Sequence, residues 1–179
     1  MLLAALAGAA GFIVGERTAE PETTTVTVAT TQTETTATTV GDPGLPDKVL
    51  QTHARLLRAA RERDWDGLQQ VIDASGEFRY TFGPNVPGGA VAYWKRLEQE
   101  GQKPIEALAT ILTLPYTLSR GIFVWPFAYD KTPDEITAYE QGLLDRIPDG
   151  AKTVGPEGYL GWRAGIKPDG HWVFFVAGD

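Results

Sequence analysis

The feature that most limits how this chain can fold is a threonine-rich tract between residues 18 and 39. Twelve of its 22 residues are threonine, and Val26 and Val28 are its only large apolar residues. A segment with so little apolar surface cannot offset the conformational entropy that is lost on ordering. We therefore predict a disordered spacer over residues 18–44. Folding is expected to be confined to one domain, residues 45–179, which is long enough to build its own core.

An apolar run precedes the spacer. Leu2 to Gly15 contains only Leu, Ala, Gly, Phe, Ile and Val, and as a helix it measures about 21 Å against the roughly 30 Å of a bilayer core. Such a segment is typical of membrane targeting. Because Phe12 to Val14 follow the small-residue cleavage patterns, we expect residues 1–17 to remain as an anchor that contacts the membrane through residues 2–15. The alternative is a cleaved signal and a secreted protein.

The charge and composition exclude several classes of protein. The formal net charge is −7, and the first 44 residues hold one base and five acids, whereas the remainder holds 15 bases and 18 acids. Because the sequence has no basic stripe, we expect no nucleic-acid partner. The absence of cysteine excludes disulfides, a thiol nucleophile and cysteine-ligated metals. We also expect no other metal and no cofactor.

Hydrophobic periodicity and capping residues predict the helices of the domain. Asp64 is placed to cap a second helix, Pro104 suits the first turn of a nearly all-apolar fourth helix, and Thr132 opens a capping box. The predicted helices cover residues 46–63, 65–75, 89–100, 104–114 and 132–147.

Alternation and apolar runs predict a small, mainly antiparallel sheet. Phe78, Tyr80 and Phe82 alternate with polar residues, and residues 122–129 are apolar throughout, as in a strand covered on both faces. Pro126 is expected at an edge or bulge because it cannot donate to a ladder. The fold class is therefore α+β, with N-terminal helices packed on the sheet. The predicted strands cover residues 77–82, 121–129, 158–166 and 171–177.

The C-terminal hairpin gives the most specific tertiary prediction. Pro168-Asp169-Gly170 is typical of a three-residue loop with Gly170 in the left-handed conformation, which pairs Lys167 with His171. A regular ladder then predicts one shared core face formed by Leu160, Trp162, Ala164, Ile166, Trp172, Phe174 and Val176.

Catalytic chemistry has little support in the sequence. His53 falls on the core face of the first helix and His171 beside a turn, so we interpret them as a hydrogen-bonded core residue and an exposed residue. Ser75 and Ser119 lie outside any serine-hydrolase motif. Two carboxylate pairs, Asp73 with Glu77 and Asp130 with Asp134, would suit acid–base work, but their positions at helix ends and turns favour capping and solvated roles.

The aromatic content is the stronger indication of a site. The domain has more Trp and Tyr than a core of this size needs, and their polar tips require partners when buried. Core packing alone is the favoured explanation, and the alternative is an aromatic-lined cleft for an apolar, glycan or peptide ligand. The candidate ligand-binding residues are Tyr80, Trp94, Trp125, Tyr129 and Trp162.

Two resemblances bear on the family. The segment Arg61-Glu62-Arg63-Asp64-Trp65-Asp66-Gly67-Leu68 resembles the opening helices of NTF2-like domains, and this resemblance implies a cone-shaped α+β fold that holds a small ligand or acts as an enzyme. Residues 80–84, 122–129 and 161–166 together are similar to uncharacterised exported bacterial domains, a resemblance that supplies no catalytic residue.

The sequence thus predicts a membrane-tethered binding or interaction module on the outer side of a bacterial membrane. Its partner would be an envelope glycan, a peptide or a protein. The alternative is a small-ligand enzyme or hydrolase on an NTF2-like scaffold, and a third reading is a structural domain that caps an assembly.

The topology of the chain can be tested directly. Because Leu2 to Gly15 precedes the spacer, residues 45–179 should lie outside the cytoplasm. Reporter domains fused after Gly44 should be active only when the reporter requires an extracytoplasmic location. Activity confined to a reporter that works only in the cytoplasm would contradict the predicted orientation.

Overall fold

A computed structural model of the protein describes residues 44–148, 154–156 and 158–178. The predicted anchor, residues 1–17, and nearly all of the predicted spacer lie outside the described residues. Among the residues that are described, no helix is both long enough and apolar enough to cross a membrane. The α+β fold class is confirmed, since helices pack with a small antiparallel sheet.

The four helices predicted in the first half of the domain are confirmed, with small shifts of their ends. Asp64 caps the second helix by accepting a hydrogen bond from the Gly67 N–H at 2.9 Å, and Gly76 ends it. Proline opens the fourth helix, as expected. The observed helices are α1 (Asp47–Glu62), α2 (Trp65–Ser75), α3 (Gly89–Gln99) and α4 (Pro104–Ile111).

Helix α4 is the most enclosed helix, as its composition predicted. Ile105, Ala107, Leu108 and Ile111 are all completely shielded from solvent. The helix packs against α1, α3 and the sheet, and it ends at Ile111 rather than at residue 114. The apolar residues that follow are also buried, so the predicted extra turn reflected burial rather than helical structure.

The main sheet has four antiparallel strands in the order β1-β2-β5-β6. A second pair, β3 with β4, lies apart from it. Helices α1, α2 and α4 contact the main sheet at β5 and β6. The strands are β1 (Thr117–Ser119), β2 (Ile122–Trp125), β3 (Val154–Gly155), β4 (Gly158–Tyr159), β5 (Arg163–Ile166) and β6 (Trp172–Val176).

The strand predicted over residues 77–82 is wrong. Only Arg79 pairs with the sheet, through an isolated parallel bridge: its N–H donates to Val173 O at 3.0 Å and its carbonyl accepts from Phe175 N at 2.9 Å. The alternation of aromatic residues has another cause. Phe78 packs on the core aromatics, and the Tyr80 hydroxyl bonds the main chain of Val86.

The strand predicted over residues 121–129 is too long. β2 ends at Trp125, and Pro126 is followed by a 3₁₀ turn, Phe127–Asp130, instead of a bulge or an edge. The Phe127 N–H donates to Pro115 O at 2.8 Å, so this turn folds back over the sheet. Residues 123–128 are buried, as an apolar run requires, but burial does not require a strand. The preceding strand β1 has no counterpart in the sequence prediction.

The helix predicted over residues 132–147 is broken in two. Thr132 and Glu135 do form a capping box, but it opens only a 3₁₀ turn, Pro133–Glu135. Ile136 has extended backbone and turns inward, where it is half-buried. A second capping box, formed by Thr137 and Glu140, begins helix α5 (Ala138–Leu144).

The C-terminal hairpin turn is confirmed. The Lys167 N–H donates to His171 O at 2.9 Å, the Gly170 N–H donates to Lys167 O at 2.8 Å, and Gly170 has φ of 89°. Ile166 pairs with Trp172, as predicted.

Beyond that pair the predicted register is wrong. Val173 is an extra residue in a β-bulge, so Gly165 pairs with Phe174 and Ala164 with Phe175. Phe175, not Phe174, is therefore completely buried. The Phe174 ring instead lies over Gly165, where an added Cβ would be 2.3 Å from a ring carbon.

The bulge generates a stability test. Phe175→Ala should cost roughly 3–5 kcal/mol, because it empties a fully buried site, whereas Phe174→Ala should cost about half as much because its side chain is only partly buried. Denaturant unfolding of the two variants gives both values. The regular ladder predicts the opposite order, so a larger loss for Phe174→Ala would contradict the bulge.

Candidate binding groove

The five aromatic residues predicted to bind a ligand do not line one cleft. Tyr80, Trp94, Trp125 and Trp162 are buried, and none exposes more than 7% of its surface. They belong to the continuous core around which the helices and sheet pack. These four side chains therefore offer almost no surface to a ligand, and only Tyr129 is partly exposed.

The core aromatics pack mainly on one another. Trp94 lies 5.8 Å from Trp172 and 5.4 Å from Phe175, and Trp162 stacks on Phe175 at 4.7 Å between ring centroids. Among the described residues, the indole N–H groups of Trp94 and Trp172 have no hydrogen-bond partner. The expectation that every buried polar tip finds a partner thus fails for these two side chains. Packing outweighs hydrogen bonding at this point of the core.

Tyr129 lies beside a small surface cavity of about 160 Å³. The neighbouring Arg163 guanidinium is 6.0 Å from the Tyr129 ring centroid and 5.2 Å from that of Phe82. Arg163 is buried, and it donates hydrogen bonds to Gly161 O at 3.2 Å and Gly178 O at 2.6 Å. These bonds tie β5 to the end of the chain, which gives this arginine a structural role.

The candidate acid–base residues are not assembled into a site. His53 Nε2 lies 2.7 Å from Leu112 O, and its ring packs 5.0 Å from that of Trp125. Burial lowers the pKa of His53, the Leu112 carbonyl opposes that shift, and Arg61 adds to it. The interpretation of His53 as a hydrogen-bonded core histidine is confirmed.

The remaining polar candidates also have structural or surface positions. Ser75 Oγ donates to Val71 O at 2.7 Å and accepts from Trp172 N at 3.0 Å. Asp73 accepts from the Gln69 side chain, and Asp130 accepts from Ser119. Within the described residues no carboxylate is buried, and no three His, Asp or Glu side chains converge as a metal site would require.

A groove that sequence reasoning missed lies at the β1 edge of the sheet. Its volume is about 380 Å³. The walls come from the segment leading into β1, the 3₁₀ turn after β2 and helix α5. The lining residues are Pro115, Tyr116, Thr117, Phe127, Lys131, Thr137, Tyr139, Glu140 and Leu143.

The edge strand beside the groove has main-chain groups that face outward. Arg120 and Gly121 form a two-residue hairpin turn with φ of 49° and 78°, which pairs Ser119 with Ile122. Because hydrogen-bonded and non-bonded pairs alternate in an antiparallel ladder, the N–H and C=O of Leu118 point away from β2. No described residue bonds to either group. The other edge of the sheet differs, since the Arg79 main chain pairs there with β6.

Two large apolar side chains are exposed at this edge. Tyr139 lines the groove and is 77% exposed, and Leu118, next to the lining residue Thr117, is 60% exposed. Among the described residues, Phe82 is the one other large hydrophobic side chain that is exposed. In the helix predicted over residues 132–147, the helical spacing of Ile136, Tyr139, Leu143 and Ile147 puts Tyr139 on the apolar face. The break at Ile136 removes that face and leaves Tyr139 in solvent.

An ion pair fixes one wall of the groove. Lys131 Nζ lies 2.6 Å from Glu140 Oε1 and 5.6 Å from the centre of the Phe127 ring. Glu140 also accepts from the Thr137 N–H at 2.9 Å in the capping box of α5. The Lys131 hydrogen bond and the Thr137 N–H together lower the pKa of Glu140 from its ordinary 4.5 to about 2. One carboxylate thus joins α5 to Lys131, the residue that ends the 3₁₀ turn.

No protein-family model, curated protein sequence or solved structure matches the chain.

The Glu140 pair gives a pH-dependent prediction. A carboxyl group whose pKa falls on folding stabilises the protein above its unfolded pKa, and this contribution is lost as the pH falls through the folded value. Glu140→Gln should therefore lower the unfolding midpoint most above pH 4.5, and the difference from the unaltered protein should shrink toward pH 2. Glutamine can still cap α5, so the comparison isolates the charge.

A second variant separates the ion pair from the cap. Lys131→Met should raise the pKa of Glu140 in an NMR titration, because the largest cause of its lowering is removed. A titration of Glu140 unaffected by Lys131→Met, or a Glu140→Gln difference independent of pH, would contradict the assignment.

Proposed function

We propose that the chain is a membrane-tethered, extracytoplasmic binding module that takes an extended peptide segment of a partner protein into the groove at the β1 edge. The membrane anchor and its orientation are proposed from the sequence, because the segment from Leu2 to Gly15 is apolar throughout. The single observation that carries the binding site is the outward-facing main chain of Leu118 beside the groove.

The main-chain geometry favours a peptide over a compact small molecule. An extended peptide added to a sheet edge receives hydrogen bonds from main-chain groups and places alternate side chains in neighbouring pockets. Leu118 offers one outward N–H and one outward C=O, and the groove provides space beyond Tyr116 and Thr117. The exposed Tyr139 ring adds an amphipathic contact surface of the kind that is enriched at interfaces.

The arrangement of ionisable groups supports binding rather than catalysis. A general acid or base requires a titratable group facing the ligand with a pKa near the working pH. His53 lies outside the groove and is hydrogen-bonded in the core. Glu140, which does line the groove, is paired with Lys131 and its pKa is lowered to about 2. The enzyme alternative therefore gains no support from the described residues.

Site-specific photo-crosslinking tests the proposal in cells. A benzoylphenylalanine in place of Tyr139 should yield a discrete adduct, whereas the same group in place of Gln99, exposed at the end of α3, should yield none. Adducts of equal yield from both positions, or none from position 139, would contradict the groove as the binding surface.

A change at Leu118 tests the main-chain contribution. Leu118→Pro removes an N–H that faces away from β2, at a position where proline is tolerated in edge strands. It also removes the leucine side chain, a loss that Leu118→Ala reproduces. The proline variant should abolish the adduct from position 139, whereas Leu118→Ala should retain most of it. An adduct that survives Leu118→Pro would show that the partner does not extend the sheet.

A further inference from the structure

A second cleft lies between helix α1 and the turn of the β5–β6 hairpin, and it shares no residue with the groove. Its volume is about 240 Å³. The Thr52 hydroxyl donates to Gly170 O at 2.6 Å and closes the base of the cleft. A Cβ on Gly170 would lie 2.9 Å from Lys48 O. The two walls are therefore in close contact and hold their side chains at a fixed separation.

Residues that carry side-chain hydrogen-bond donors line this cleft on both walls. Lys48, Gln51 and Arg55 are spaced three and four residues apart on α1, which places them along one side of the helix. His171 faces them from the hairpin and is half exposed. The cleft is thus lined by four residues whose side chains can donate hydrogen bonds, Lys48, Gln51, Arg55 and His171.

Among the described residues, the two permanent cations of the cleft outnumber its one carboxylate, Asp169. Neither Lys48 nor Arg55 forms an ion pair there, although ion pairs are made by Arg63, Arg96, Lys103 and Lys131. This is a local excess of positive charge on a chain whose net charge is −7.

The one carboxylate in the cleft is already engaged. One oxygen of Asp169 accepts a hydrogen bond from the main-chain N–H of His171 at 3.1 Å. The other oxygen lies 3.5 Å from Nδ1 of the His171 ring. The His171 N–H is the main cause that lowers the pKa of Asp169. The third wall is the C-terminal end of α2, which carries partial negative charge. An anion in the cleft would therefore be held against α1 and away from Asp169.

We propose that this cleft binds a phosphate group. A tetrahedral anion can accept hydrogen bonds from several directions, which matches donors on two facing walls better than a planar carboxylate does. Arginine supplies paired donors and lysine a compact charge, the two forms of phosphate recognition that proteins use most often. The phosphate belongs either to a free anion or to a phosphodiester headgroup.

Calorimetric titration of the full chain in a neutral detergent tests the proposal. Sodium phosphate is added at constant ionic strength, with chloride as the balancing anion. Saturable binding is expected. Arg55→Gln and Lys48→Gln should each weaken it about tenfold. Arg58→Gln is the matched control, since Arg58 is exposed on the same helix but does not line the cleft, and it should change the affinity by less than about twofold.

The opposite result is expected for Asp169→Asn. Asparagine keeps the oxygen that accepts from the His171 N–H and removes the negative charge, so phosphate should bind several-fold more tightly. The absence of saturable binding, equal weakening by Arg55→Gln and Arg58→Gln, or weaker binding to Asp169→Asn would each overturn the proposal. All four altered residues are exposed, and unfolding midpoints measured in parallel verify that each variant is folded.

Titration with glycerophosphoglycerol identifies the source of the phosphate. Tighter binding of this diester than of inorganic phosphate would support a lipid headgroup as the natural ligand, and the reverse order would support a free phosphate. Binding of neither compound would overturn the site. These outcomes do not depend on the groove, because the crosslinking at Tyr139 addresses different residues.

Discussion

The packing of Trp172 joins the parts of this domain. Its ring lies 4.4 Å from Phe78, 5.8 Å from Trp94 and 6.2 Å from Phe175, and its main-chain N–H donates to Ser75 Oγ. A strand, a loop and two helices thus meet at one residue. Aromatic side chains bury large areas and dominate core energetics. Trp94 belongs to this cluster and Trp162 joins it by stacking on Phe175, so two of the three tryptophans that the sequence offered as binding residues are used in the core. The proposed peptide groove accordingly lies outside this core, beside the edge strand β1.

Residues that fix the local backbone made helices α1 to α4 and the turn of the β5–β6 hairpin predictable. Asp64, Pro104 and Gly170 each fix backbone geometry through their own chemistry, and the structure places each as expected. The register beyond Trp172 was not predictable in the same way. The bulge at Val173 accompanies the pairing with Arg79, which is distant in sequence. An alternating pattern cannot reveal a residue that is inserted to satisfy a partner from elsewhere in the chain.

The groove was missed because it results from interruptions of regular structure. Residues 127–129 are as apolar as a strand, yet they lie in a 3₁₀ turn, and Ile136 breaks a pattern that is helical in spacing. Two capping boxes in succession, at Thr132 and Thr137, were the available signal. Each begins a new element, so together they indicate that the first must end within a turn. Helical periodicity alone merged the 3₁₀ turn and α5 into one helix and placed Tyr139 on its apolar face.

Net charge is a poor guide to small-ligand binding in this chain. An acidic total argues against a long polyanion, which must be neutralised over many phosphates. A single anion is governed by charges within about 10 Å, the screening length at ordinary salt. Lys48 and Arg55 line one small cleft, and neither has an ion-pair partner among the described residues. Within about 10 Å, the identity and pairing of neighbouring charged groups determine the sign of the local electrostatic field. A net charge of −7 on the whole chain is therefore compatible with a site that attracts anions.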